Sequence, residues 1–440
     1  MSILKAIWFH GIINGYFKVT MKKKFKIQTL GCRTNQYESQ AYHDQLKQLG
    51  FVEGKSDEKA DVCIVNTCTV TESADKSSRY KIRSLLKENP GAKVFVTGCM
   101  VENERKALEA MDPNIKIVSN LEKENLLSHI FPDVEDLPEF QIKEFDVRTR
   151  AFVKVQDGCN SFCTYCVIPY VRGRSRSKKE EEIIKEIHEL VKNGYQEIVL
   201  TGINIGDYDG AAVPKKRLSD LIRLVDKIDG VKRIRVSSID PDEVDDDLAD
   251  AILNCEKTCP SMHIVLQSGS NVILKRMNRK YTKQMFFDTV EKMTQANPDF
   301  TVTTDIIVGF PGETESDFQD SLDVVKKVKF SKVHMFPYSA RPRTRSALYK
   351  DPVPLEVIQK RKQEMLREAE RAAFSLREQF IGREFDVLLE ADDDMHDDYI
   401  SGYTSNFLRV RIPKKGLSQN QIVRVKLLEN ASDALLGKVL

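Results

Sequence analysis

The sequence predicts an α/β chain in three parts: an open parallel sheet flanked by helices, a partial barrel of six β/α units, and a small C-terminal β-barrel of the OB-like kind. Short apolar runs of strand length alternate with helical patterns over residues 25–131, and the alternation recurs six times over 151–340. Past Gly382 the helical pattern stops and five short strand-like runs follow. Strand–helix alternation marks parallel sheets covered by helices, and short strands separated by turns suit a closed antiparallel barrel.

Residues 1–20 carry the single Trp, Trp8, and few charges, without the basic start and small-residue cleavage site of a signal peptide. They read as an extension ahead of a natural start near Met21, with a membrane-associating segment as the alternative. The N-terminal domain, 21–131, holds the strand candidates FKIQTL, VCIVNT, KVFVTG and IKIVSN with helical stretches between them. Residues 132–150 are acidic, contain two prolines and lack a period, and read as a linker. Residues 151–375 contain the strands AFVKVQ, EIVLTG, IRVSSI, HIVLQS, TVTTDIIVG and KVHMFPY and end in a long charged helix. Six units are too few for a closed eight-stranded barrel. Residues 376–440 supply the final barrel.

The 440 residues fit about three domains at roughly 150 residues each. With 68 Lys and Arg against 66 Asp and Glu, the net charge of +2 excludes nucleic-acid binding by bulk charge alone but allows local patches. No apolar run reaches the roughly 18 residues of a membrane span. Nine cysteines are too few and unevenly placed for a disulfide scaffold, which points to metal or redox chemistry in a reducing, cytoplasmic setting.

Cys159, Cys163 and Cys166 follow the first strand of the six-unit domain, at the carboxyl end where such folds place active sites. Three thiolates on one loop can hold three irons of a 4Fe-4S cube and leave the fourth iron open, whereas structural zinc wants four protein ligands. Cys32, Cys68 and Cys99 each follow a predicted parallel strand, and the carboxyl ends of such strands share one edge of the sheet. That placement suits a second cluster, with three buried apolar cysteines as the plain alternative. Cys63 reads as packing, and Cys255 and Cys259 have no assigned role.

The loop DGCNSFCTYC resembles the cluster loop of the radical S-adenosylmethionine superfamily. The resemblance implies that the open iron binds S-adenosylmethionine, that Tyr165 packs near the adenine, and that later strand ends hold the cofactor. Those positions are Gly202, Asn204, Ser237, Ser238, Gln267, Asp305 and Gly309. Singly, each glycine reads equally as a tight turn and each polar residue as a satisfied core group. TLGCRTNQYES, NTCTVTESADKSSR and VTGCM resemble the N-terminal domain of the methylthiotransferases, and the C-terminal barrel resembles their RNA-binding TRAM domain. TLGC with NTCTVT, and LTGIN followed by DY, are similar to the branch acting on N6-threonylcarbamoyladenosine beside the anticodon.

The family implies two 4Fe-4S clusters, S-adenosylmethionine as radical source and methyl donor, and methylthiolation of C2 of the adenine. It also implies a tRNA anticodon stem-loop as partner, an electron donor such as flavodoxin or ferredoxin, a sulfur source, and no membrane. The same chemistry on isopentenyladenosine or on a ribosomal-protein aspartate is the nearest alternative; a non-catalytic RNA-binding iron–sulfur protein is another. For RNA contact, Arg172, Arg174 and Arg176 follow the cysteine loop, and Arg341 and Arg343 follow the sixth strand. Arg343 stands where the family segment has glycine, which changes the local backbone or adds a charge at the substrate mouth. On the final barrel, Tyr403, Phe407 and Arg409 could offer stacking and charge, or Phe407 could be core.

Overall fold

The computed structural model describes residues 23–143, 149–393 and 396–440. The expected extension 1–20 lies outside them. The N-terminal sheet has five parallel strands in the order Val52–Glu53, Lys24–Thr29, Val62–Thr67, Lys93–Gly98, Ile115–Ile117. Four of these are the apolar runs read from sequence. Val52–Glu53, exposed and two residues long, has no period to reveal it.

The six-unit region forms two three-stranded parallel sheets. The first contains Arg150–Lys154, Glu197–Thr201 and Arg233–Val236; the second contains Ser261–His263, Thr301–Val308 and Lys332–Pro337. Single parallel bridges from Ile234 to Thr258 and from Ile239 to Ile264 join them into one open barrel. The five C-terminal strands close into a barrel by themselves.

One helix belongs to both of the first two regions. In Arg33–Gln48, Tyr42 and Leu46 pack with Phe25 and Ile64 of the N-terminal sheet. Tyr37 and Ala41 enter the core of the open barrel with Phe152 and Ile187. Each pair is spaced i, i+4, so the helix carries two apolar stripes. The described part of the expected linker is not a free tether. Phe140 lies 6.1 Å from Tyr37 and 5.3 Å from Tyr42, ring to ring, and Ile142 is fully buried. Two apolar side chains among acidic neighbours are enough to pin the segment.

The C-terminal barrel docks on the amino-terminal ends of the barrel strands. Arg233 donates to the carbonyls of Tyr403 and Asp386, at 3.0 and 2.6 Å. Arg235 donates to those of Thr404 and Ser405, both at 2.9 Å, and pairs with buried Glu197 at 2.6 Å. Tyr403 and Phe407 stack 4.7 Å apart, with the Arg150 guanidinium 5.1 and 5.2 Å from their rings. Arg409 pairs with Asp433 and Asp393. Tyr403 and Phe407 are therefore half-buried against Arg150, and Arg409 is half-buried in an ion pair. Replacing Arg235 by Ala strands the Glu197 carboxylate in the interior. Urea denaturation is expected to show a loss of about 3–5 kcal/mol.

Candidate active site

Glycine sets the position of three of the six cysteines. Gly31, Gly98 and Gly158 precede Cys32, Cys99 and Cys159 with φ of +94°, +93° and +74°. Each turns the chain sharply in a conformation that other residues adopt only with strain. A side chain at Gly31 would also meet Cys68 Cβ at 2.8 Å, so the two cysteine segments are in van der Waals contact there.

The Cys159–Cys166 loop is tied at both ends. Gln156 and Asp157 pair antiparallel with Ser177 and Arg176, closing its base. Thr164 donates from its amide to the Met277 carbonyl at 3.0 Å and from its hydroxyl to that of Arg276 at 2.9 Å. Phe162 takes a left-handed φ of +47° at its tip. Cys99 packs against Val167 and Val171, immediately beyond Cys166. The segments that bear the two cysteine sets are therefore packed together, although no local spacing links them.

All nine cysteines are free thiols. Burial pushes the Cys68 thiol up to about 12, and raises those of Cys99, Cys159 and Cys166. Thiols held protonated by a dry site become ligands only when a cation drives the proton off. Among the described residues, no three His, Cys, Asp or Glu side chains converge as they would on one metal ion. A four-iron cube makes a different demand, one thiolate for each of three irons. Each set offers three thiols on closed loops, and the residues fit such a group. Cys63 lies in the core of the N-terminal sheet, as expected from its strand position.

Between the sets lies a cleft of about 240 Å³. Val70 and Thr71 line it on the Cys68 side; Tyr165, Cys166 and Val167 line it on the loop side; Gln267, Asp305, Ile307 and Phe336 form its floor and wall. Tyr165 meets Phe310 edge-on at 6.5 Å. Gln267 holds a left-handed φ of +65° while bridging to Ile306, a strain typical of functional sites.

Gly202 and Asn204 do not line this cleft; they sit against Gln156, whose side-chain oxygen accepts from the amides of Ile203 and Asn204 at 3.0 and 2.9 Å. Ser237 is buried with an unpartnered hydroxyl, and Ser238 is exposed. Gly309 is a different case. A side chain there would strike Ile358 of the long helix Leu355–Glu378, so helix packing requires this glycine.

Two of the five arginines expected to touch RNA are corrected. Arg172 is fully buried and bonds Glu38 and Asp157 at 3.1 and 2.8 Å. Arg341 is buried against Asp75 and Thr69. A phosphate cannot reach either. Arg176 is half-exposed and pairs with Asp157 at 2.9 Å. Arg174 and Arg343 are exposed, and their guanidiniums lie 4.4 Å over the Phe162 ring and 5.1 Å over that of Tyr170. Arg343 has φ of +69°, so the chain keeps the left-handed backbone of a glycine and gains the charge as well. That backbone costs an arginine about 1–2 kcal/mol.

Several site residues carried no sequence signal. Arg279 donates to Cys163 Sγ at 3.0 Å and bonds Asp240. Gln156 joins Gly158 of the cysteine loop to the 202–204 loop. Glu243 accepts from Asn204 at 2.8 Å. A lone polar residue at a strand end looks the same whether it is buried or solvated.

Replacing Cys159, Cys163 and Cys166 together by Ala is expected to halve an iron content of about eight per chain and abolish S-adenosylmethionine cleavage. Replacing Cys32, Cys68 and Cys99 should also halve the iron but spare the cleavage; iron assay and 5′-deoxyadenosine analysis check both. Glu243 gives a pH signature. Burial, with Asp240 beside it, pushes its carboxyl from the ordinary 4.5 to about 7. The folded state then holds a proton that the unfolded chain has lost, so this group's stabilisation is full below 4.5 and fades as pH rises to 7. Denaturation of the cofactor-free protein should show the wild type losing up to ~3 kcal/mol relative to Glu243→Gln across that window.

The profile of the Radical SAM superfamily matches residues 153–325, and that of the uncharacterized protein family UPF0004 matches 24–120. The threonylcarbamoyladenosine tRNA methylthiotransferase MtaB of Chlamydia pneumoniae is 46% identical over 422 residues, 95% of this chain and 99% of that protein. The tRNA-2-methylthio-N(6)-dimethylallyladenosine synthase of Clostridium novyi is 33% identical, over 98% and 99% of the two chains. In fold, the radical S-adenosylmethionine methyltransferase TsrM of Kitasatospora setae superposes with a TM-score of 0.54 at 13% identity, covering 74% of each chain. Likeness that runs nearly the length of both sequences settles the relationship: the chain belongs to the methylthiotransferase family of radical S-adenosylmethionine enzymes.

Proposed function

We propose that the chain is a tRNA methylthiotransferase that places a methylthio group on C2 of N6-threonylcarbamoyladenosine at position 37, next to the anticodon. The observation that carries the substrate is the 46% identity to the threonylcarbamoyladenosine enzyme of Chlamydia pneumoniae across nearly the whole chain, against 33% for the dimethylallyladenosine enzyme. The packing together of the segments that bear the two cysteine sets supports the chemistry.

Cys159, Cys163 and Cys166 hold one 4Fe-4S cluster, and Cys32, Cys68 and Cys99 hold the other. Bound with S-adenosylmethionine, these groups supply the radical, the sulfur and the methyl group. The protein orients the reactants and keeps water out. Tyr165, Ile307 and Phe336 give the cleft apolar walls, while Gln267 and Asp305 supply polar atoms that orient what enters. A base inside a folded loop must be turned out of its stack to reach such a site. Val70 and Phe336, 46% and 41% exposed, flank the mouth and offer apolar faces to a base.

Arg174 and Arg343, which form no ion pair among the described residues, hold backbone phosphates. The C-terminal barrel, read as a TRAM domain, adds backbone contacts through outward cations, since its aromatic pair is half-buried against Arg150. Lys426 and Lys438 stand directly opposite each other on exposed strand faces, a like-charge pairing that a phosphate would relieve. An electron donor such as flavodoxin or ferredoxin and a separate sulfur source complete the system. A cytoplasmic location suits free thiols and a tRNA substrate, and no helix among the described residues is long and apolar enough to cross a membrane.

Nucleoside mass spectrometry on cells lacking this chain tests the substrate. The methylthio form of N6-threonylcarbamoyladenosine should disappear, with its unmodified parent accumulating and the isopentenyl derivatives unchanged. Loss of the isopentenyl derivative or of ribosomal-protein modification would move the assignment to that branch. For RNA contact, Arg174→Ala and Arg343→Ala should each weaken tRNA binding and lower the slope of log affinity against log salt by about 1. Arg341→Lys should leave the slope unchanged.

A further inference from the structure

Arg172 lies six residues beyond Cys166, on the chain that leaves the radical-cluster loop, and no part of its side chain reaches solvent. Three acceptors account for part of its guanidinium. Nη1 donates to Glu38 and Asp157, and Nη2 to the Asn35 side chain. The Nε–H donor has no partner. A buried donor left unpaired costs about 1–3 kcal/mol, and such an atom in a well-paired protein calls for a ligand. The arginine cannot relax away from this position, because Lys123 holds both of its carboxylate partners, at 2.6 Å from Glu38 and 2.7 Å from Asp157.

The neighbours of the guanidinium identify the ligand. Its positive charge acts on the thiols of Cys99 and Cys32. The adjacent Val171 packs on Cys99, and Asn35, its acceptor, also accepts from Cys32 Sγ at 3.8 Å. Charge balance points the same way. Glu38, Asp157 and Glu124 face four cations, Lys123, Lys154, Arg172 and Arg176, with Glu124 and Arg176 at the solvent edge, so the cluster carries one positive charge in excess.

We propose that Arg172 is a positioning residue for the auxiliary cluster: its Nε–H donates a hydrogen bond to a sulfur of the group held by Cys32, Cys68 and Cys99, and its charge raises that group's reduction potential. Hydrogen bonds to the sulfurs and local charge are the two means by which a protein tunes such a potential. No bond is made or broken; the arginine stabilises the more negative, reduced state. The residue that anchors the end of the radical-cluster loop thereby also sets the electrostatics of the sulfur-bearing site. The inference rests on the two-cluster reading above.

The test uses the full chain carrying Cys159→Ala, Cys163→Ala and Cys166→Ala, so that only the auxiliary cluster remains. Its potential and electron paramagnetic resonance spectrum are compared with Arg172 intact, R172K and R172Q. R172K keeps the charge and loses the Nε–H; R172Q loses both and leaves Glu38 and Asp157 matched by Lys123 and Lys154. The expected result is about four irons per chain, with potentials shifted negative in the order R172Q beyond R172K beyond the parent, and an altered spectrum in both variants. Unchanged potential and spectrum in an R172K protein with full iron would overturn the proposal and leave Arg172 a structural ion pair. Absence of a four-iron cluster from the parent itself would overturn the two-cluster reading, and the proposal with it.

Discussion

A buried ion cluster holds the chemistry in place. Glu38 comes from the N-terminal helix, Lys123 from the end of the N-terminal region, Lys154 and Asp157 from the first barrel strand and the turn after it, and Arg172 from beyond the cysteine loop. Burial pushes the Glu38 carboxyl up, but Arg172, Lys123 and Lys154 outweigh it and draw it down to about 2, so it stays ionised. Removing charges from water is costly, and such a network repays the cost only when every member is paired. The pairing here requires all four segments at once. The segments of Cys99 and Cys166 are therefore held together by electrostatics that neither region can satisfy alone.

The parallel strands give the molecule two chemically different ends. Their carboxyl ends carry the glycine turns, both cysteine sets and the cleft. Their amino ends carry Arg233 and Arg235, which cap carbonyls of the C-terminal barrel, and Arg150, which pairs with Glu390 and, like Arg235, faces its aromatic pair.

Backbone strain gathers at the working end. Phe162, Gln267 and Arg343 all hold positive φ, at the tip of the cysteine loop, in the floor of the cleft and beside its mouth. Each is fixed by surroundings that offset the strain: the Asn278 side chain on the Phe162 carbonyl, the bridge to Ile306, and the buried Thr344 that follows Arg343. Pre-set backbone of this kind keeps the thiols and rings from rearranging when a substrate arrives.

What the sequence determined by itself was the order of strands and helices, the closed final barrel, and the placement of six cysteines at strand ends. These depend on local quantities: the two-residue and 3.6-residue periods of apolar side chains, and turn glycines placed directly before cysteines. What only the tertiary structure decided was the role of each charge and ring. Arg172 and Arg174 are two residues apart on one basic run, yet one is an interior ion and the other faces solvent. Arg341 and Arg343 divide in the same way, and Tyr403 and Phe407, plausible as RNA-stacking rings, are half-buried against Arg150. Gln156, Arg279 and Glu243 entered the site with no warning at all. An ionic or aromatic side chain takes its function from its partners and its dielectric, and both are set by segments more than a hundred residues away, as Glu38 is from Arg172.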